Sequence, residues 1–156
     1  MKESPFLTHK EILLQGYSTA RWLRGVTLAL WNGDAWPVGL GRIGNTDNQH
    51  FAIAIELLEW YRQHGENDPD FMATAQLCET IALEEKRQAE QQAAFNDWER
   101  GLVWEMRRNG FKDYMRGDYY DWFFERFEEG LTQAQAAERA AAEGLGKDDY
   151  SEERIV

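Results

Sequence analysis

The chain predicts an all-α fold, a compact multi-helix domain closed by a C-terminal helical hairpin. Three observations carry that expectation. Apolar residues recur at three- and four-residue spacing in several separate segments, cap-forming residues precede those segments, and glycine follows most of them. A strand-rich alternative needs sustained two-residue alternation, which is found at most in one minor hairpin within 26–43.

The first helix is expected over 18–32. Ser18 and Thr19 precede ARWLRGVTLALW, in which Trp22, Leu23, Val26, Leu30 and Trp31 fall at helical spacing, and Asn32-Gly33 offers a left-handed stop. The rival is a β-hairpin turning at Asn32-Gly33. It would leave one strand apolar on both faces, and Pro37 disfavours a central strand. A second helix is expected over 47–64. Thr46 with Gln49 fits a capping box, Phe51, Ile55 and Leu58 form one stripe beside Ile53, Leu57 and Tyr61, and Gly65 closes the element.

Asp68-Pro69 opens a third helix in the favoured order, cap residue and then proline at the first helical position. Its apolar start gives way to EEKRQAEQQ at 84–92, and periodicity resumes at Phe95, Trp98, Leu102 and Met106 before Asn109-Gly110. Unbroken over 69–109, it would be about 60 Å long. That length leaves two options, an extension at its polar middle or a break near Asn96. Asp118 starts an aromatic helix that Gly130 ends, and Thr132 with Gln135 forms another capping box before the alanine-rich AQAAERAAAEG. The sequence thus reads as one helical domain over 1–146 and an acidic flexible tail over 147–156.

Composition narrows the function classes. The net charge of −11 is uneven: residues 1–78 hold 9 acidic and 6 basic side chains (net −3), and 79–156 hold 19 and 11 (net −8). Phosphate neutralisation by Lys and Arg supplies most non-specific nucleic-acid affinity, so direct binding to nucleic acid is disfavoured. Arg107, Arg108, Lys112 and Arg116 form the one basic cluster. A single cysteine, Cys78, excludes an internal disulfide and lies beside Leu77 as a small buried hydrophobe would. With no apolar run long enough for a signal h-region or a membrane span, the expected location is the cytoplasm.

Chemistry-bearing motifs are sparse. His9, His50 and His64 lack His or Cys neighbours at metal-ligand spacing, and no Glu-x-x-His pair occurs. Glu56 and Glu59 share a helix face, as in a small helical Mg²⁺-dependent nucleotide hydrolase, but two acids on a wet helix edge are also the ordinary amphipathic pattern. Ser18, Thr46 and Thr132 read as caps rather than nucleophiles. Gly39-Leu-Gly41-Arg-Ile-Gly44 lacks the Lys-Ser/Thr ending of a phosphate loop. No catalytic residue, cofactor or metal is therefore assigned, and the protein is expected not to be an enzyme.

The segment 118–129, DYYDWFFERFEE, is the remaining candidate. It sets five carboxylates and six aromatic rings around one arginine, Arg126. Six rings exceed one buried stripe, so some are expected at the surface. Tyr119, Tyr120 and Trp122 are the expected anchors of a partner-binding site, with Asp118, Asp121, Glu125 and Glu128 as charges that steer a basic partner. The plainer reading makes the rings core and the acids a solvated face.

Residues 21–58 resemble a pattern in small proteins of bacterial plasmids and integrative elements. It is carried by Leu30-Trp31-Asn32-Gly33, Trp36-Pro37-Val38, Leu40 with Ile43, and Asp47, with Gly39 standing where an acidic residue is often found. The resemblance implies a helical 18–64 and a mobile-element origin, and transfers no activity. Together these readings predict an acidic interaction protein that binds and inhibits a basic or nucleic-acid-binding host protein, such as a defence component. Self-association through exposed aromatics is the alternative.

Overall fold

The computed structural model describes residues 3–108 and 119–145, and every regular element among them is helical. Contacts group into two compact units, 1–86 and 87–156, each with its own apolar core. In the first unit lie α1 (Pro5–Thr8), α2 (Lys10–Leu13), α3 (Ser18–Asn32) and α4 (Asn48–His64), with short 3-10 turns at Leu40–Asn45 and Gly65–Asn67. α5 (Pro69–Arg108) gives residues 69–86 to this unit and 87–108 to the second, which is completed by α6 (Tyr120–Glu128) and α7 (Gln133–Ala142).

Several expected boundaries change. The hairpin within 26–43 is absent, because α3 runs helically to Asn32. Gly33 is not a left-handed stop. Its φ is −63°, and the chain instead tightens into a turn in which Asn32 Oδ1 accepts the Ala35 N–H and the Asn32 carbonyl accepts that of Trp36. Ser18 is the first helical residue and not the cap, which falls to Tyr17 without a side-chain bond. Thr46 donates its hydroxyl to the Arg42 carbonyl, so Asp47 takes the cap of α4 and accepts the His50 N–H at 3.1 Å. α5 does not break at Asn96, whose carboxamide oxygen accepts from Gln92 one turn earlier. The expected stop at Asn109-Gly110 and the tail over 147–156 lie outside the described residues.

A buried carboxylate organises the first unit. Asp68 Oδ2 accepts from Ser4 Oγ and from Trp60 Nε1, each at 2.6 Å, and Oδ1 accepts the Asp70 N–H at the start of α5. Burial works to raise its pKa, but those donors outweigh it and hold the carboxyl below its ordinary value. Thr74 Oγ1 adds a bond to the Phe6 carbonyl, and Phe6 packs edge-on against Phe71. So α1, too short to persist alone, is fixed by contacts more than sixty residues away.

Arg24 is a second buried polar anchor. From within the apolar face of α3 it donates to the carbonyls of Leu13 and Gln15, which the end of α2 would otherwise leave orphaned, and to Glu85 at 2.6 Å. Burial pushes the Glu85 pKa up, yet Arg24 and Arg21 more than reverse this and keep it ionised below its usual range. Each charge in the pair answers the other, which a buried ion requires.

The second unit is built on rings and alanines. Phe95, Trp98, Leu102 and Met106 of α5 meet Phe123 of α6 and Ala136, Ala137 and Ala140 of α7. α7 turns Ala136, Ala137 and Ala140 into this core. Thr132 and Gln135 complete the predicted capping box. Gly130 and Gly144, at φ 78° and 75°, close α6 and α7 with paired Schellman bonds: Leu131 N–H to Arg126 O with Gly130 N–H to Phe127 O, and Leu145 N–H to Ala140 O with Gly144 N–H to Ala141 O.

Candidate interaction surfaces

Each functional candidate resolves into a specific environment. On α6, Asp121, Glu125 and Glu128 follow the i, i+4, i+7 spacing of one helix face and are all exposed. Phe123 is buried on the opposite side, and Phe127 meets Phe95 and Trp98 of α5. The row of three carboxylates is about 10 Å long at 1.5 Å per residue. Glu125, 64% exposed, takes a bond from the Arg126 guanidinium at 2.9 Å, and Glu128 accepts from Gln91 Nε2.

The three rings expected as anchors are placed differently from one another. Tyr119 and Trp122 are half-buried against the core of the unit. Trp122 donates to Glu143 at 3.0 Å, stands edge-on to Phe123, and has the Arg126 guanidinium 4.9 Å from its ring centroid. Tyr120 is 37% exposed, and its hydroxyl is bonded to the Gln92 carboxamide. Asp118, the fourth steering charge, lies outside the described residues, as do Lys112 and Arg116 of the basic cluster.

Arg126 is buried beneath this face. It bonds Glu125 and, at 3.1 Å, Glu129, while Arg139 links Glu129 to Glu143. The acidity of α6 is thus braced from behind by two arginines, which lowers the mutual repulsion of its carboxylates. Sequence reasoning passed over Trp104, which is 69% exposed and has Arg107 above its ring at 5.7 Å. Its position off the Phe95–Trp98–Leu102 stripe was the available sign.

In the first unit, Asp47, His50 and Tyr17 form a chain. His50 Nδ1 is 2.7 Å from the Asp47 carboxylate and Nε2 is 2.9 Å from the Tyr17 hydroxyl. The His50 backbone N–H foremost, and then its ring, hold the Asp47 pKa down. The chain ties the start of α3 to the start of α4. Glu56 of the hydrolase alternative is bonded to His9 at 3.0 Å, and among the described residues no group of three metal-competent side chains exists.

A nearly wholly apolar hollow of about 230 Å³ opens between α3, the 3-10 turn and α4, with Val26, Leu30, Leu40, Ile43 and Phe51 in its walls. Cys78, by contrast, is sealed in the core, and burial pushes its pKa up to about 11, with Arg24 offsetting only part. The folded protein is therefore expected to leave its one thiol unmodified by a disulfide reagent at pH 8 and to expose one equivalent in denaturant. Rapid native-state modification would show an opening at the Phe71–Cys78 face.

No helix among the described residues is long and apolar enough to cross a membrane. No family model, curated protein or solved structure matches the chain.

Proposed function

We propose that this protein is a non-enzymatic interaction protein that binds and inhibits a basic or nucleic-acid-binding protein through the acidic face of α6. The observation that carries the reading is the exposed row of Asp121, Glu125 and Glu128, held over a ring-filled core with Glu125 paired to Arg126. A rigid row of like charges steers an oppositely charged surface and competes with a phosphate backbone for it.

The test is affinity capture from the native host followed by association kinetics with the captured protein. Asp121→Lys with Glu128→Lys, which spares the Glu125–Arg126 pair, is expected to slow association at least about 10-fold at low salt and to flatten its salt dependence. The melting temperature should stay nearly unchanged. Normal association by the double variant would remove α6 from the interface and leave its acids a solvated face.

A further inference from the structure

α4 carries two apolar stripes, and its own unit covers one of them. Ile53, Ala54 and Leu57 are buried in the core. Phe51, Ile55 and Leu58 remain 39 to 42% exposed, and across the hollow Leu40 is 65% and Ile43 40% exposed. Together they make a contiguous apolar patch on the order of a few hundred Å², a size that on monomers is often an interaction site.

We infer that this patch is the interface of a two-fold homodimer, with α4 packed antiparallel against α4 of a second copy. The charges at the two ends of the stripe identify the occupant. Asp47 caps the N-terminal end with its side chain 57% exposed, and Arg62, on the same stripe one turn beyond Leu58, is exposed and makes no ion pair among the described residues. Turn α4 against a copy of itself about a point between Ala54 and Ile55, and Phe51 faces the partner's Leu58 while Ile55 lies about 1.5 Å along the axis from its own counterpart. The same register sets Arg62 against the partner's Asp47 at both ends. One two-fold operation thus covers the apolar stripe and gives each Arg62 the exposed Asp47 carboxylate, which His50 already orients, as an isologous contact demands. A near-antiparallel crossing of about 20° keeps all of these pairs within reach.

Net charge does not oppose the contact where it forms. The acidic excess is concentrated in residues 79–156, whereas α4 belongs to the nearly balanced remainder. Burial of apolar surface is strengthened and the overall repulsion screened as salt rises, so the dimer is retained at about 0.5 M salt. That trend is opposite to the capture of a basic partner by α6, and the inference stands or falls apart from that proposal.

The experiment uses the full chain. Sedimentation equilibrium over roughly 1–100 μM should show a monomer–dimer equilibrium, and Ile55→Glu should weaken it on the order of 100-fold with an unchanged helical CD spectrum. Two cysteine variants then read the register, with Cys78 buried and silent. Ile55→Cys should oxidise to a covalent dimer, since facing Cα atoms on packed helices come within disulfide range. Gln63→Cys, exposed on the same helix but more than eight residues from the axis, would lie about 25 Å from its counterpart and should not. A monomer throughout that range, a dimer indifferent to Ile55→Glu, or equal cross-linking from 55 and 63 would each overturn the assignment.

Discussion

Phe95→Ala is expected to destabilise the second unit by about 3–5 kcal/mol, the cost of emptying a fully buried aromatic site. Phe95 is the ring on which the others converge, with Trp98, Tyr120, Phe124 and Phe127 all within 4.9–5.8 Å between centroids. Three of those four belong to α6, a helix of nine residues that has too few internal hydrogen bonds to stand alone. Removing Phe95 therefore takes away the surface on which α6 rests. Urea denaturation followed by near-UV CD would measure the loss. A cost under about 1 kcal/mol would show that the rings close over the gap.

Asp68→Asn is expected to cost on the order of 3 kcal/mol, nearly as much as Asp68→Ala. The carboxylate accepts three donors, two on Oδ2 and one on Oδ1. An amide has one acceptor oxygen, so either orientation sets its NH₂ against a donor and leaves a buried group unsatisfied, at about 1–3 kcal/mol, besides weakening the start of α5. The pH dependence follows from the lowered pKa. Because the folded value lies below the unfolded one, the contribution is fully present above the ordinary 3.8 and disappears as pH falls through the folded value. Wild-type denaturation midpoints should drop on acidification below about pH 4 more steeply than those of Asp68→Asn, which lacks that proton-linked contribution. Parallel curves would show that Asp68 is not the titrating group.

The parts of this fold that could be read in advance are those whose cause lies within four residues. Asp68-Pro69, the Thr132–Gln135 box and the glycines after α6 and α7 act locally, and the helices begin and end where those residues stand. α1 and α2 were not foreseen, since four residues are too few to show a period and their restraints come from Asp68, Thr74 and Arg24. Asp68 was legible as a cap but not as the acceptor of Ser4 and Trp60. Arg24 looks like a surface residue until the carbonyls of Leu13 and Gln15 and the Glu85 carboxylate surround it.

The candidate site was legible in part for the same reason. The i, i+4, i+7 acids of α6 are a local pattern, and they lie on one exposed face. The surplus of rings argued for surface aromatics, yet only Tyr120 among the six crosses into the exposed class, because α6 has α5 on one flank and α7 on the other. On α4 the two stripes were equally apolar to the eye. Which one the unit covers is decided by where α3 and α5 pass, which no local spacing records.

The long-range bonds of the N-terminal segment set an order of events during synthesis. Ser4 bonds Asp68, and Phe6 meets Phe71 and Thr74, so these links of α1 close only after the start of α5 has left the ribosome. At about 5–20 residues per second, that leaves Phe6 without Phe71 and Thr74 for roughly 3–14 s on each nascent chain. A stall between those points would leave the Phe6 face of α1, which the finished unit encloses, open to a chaperone that grips short apolar segments.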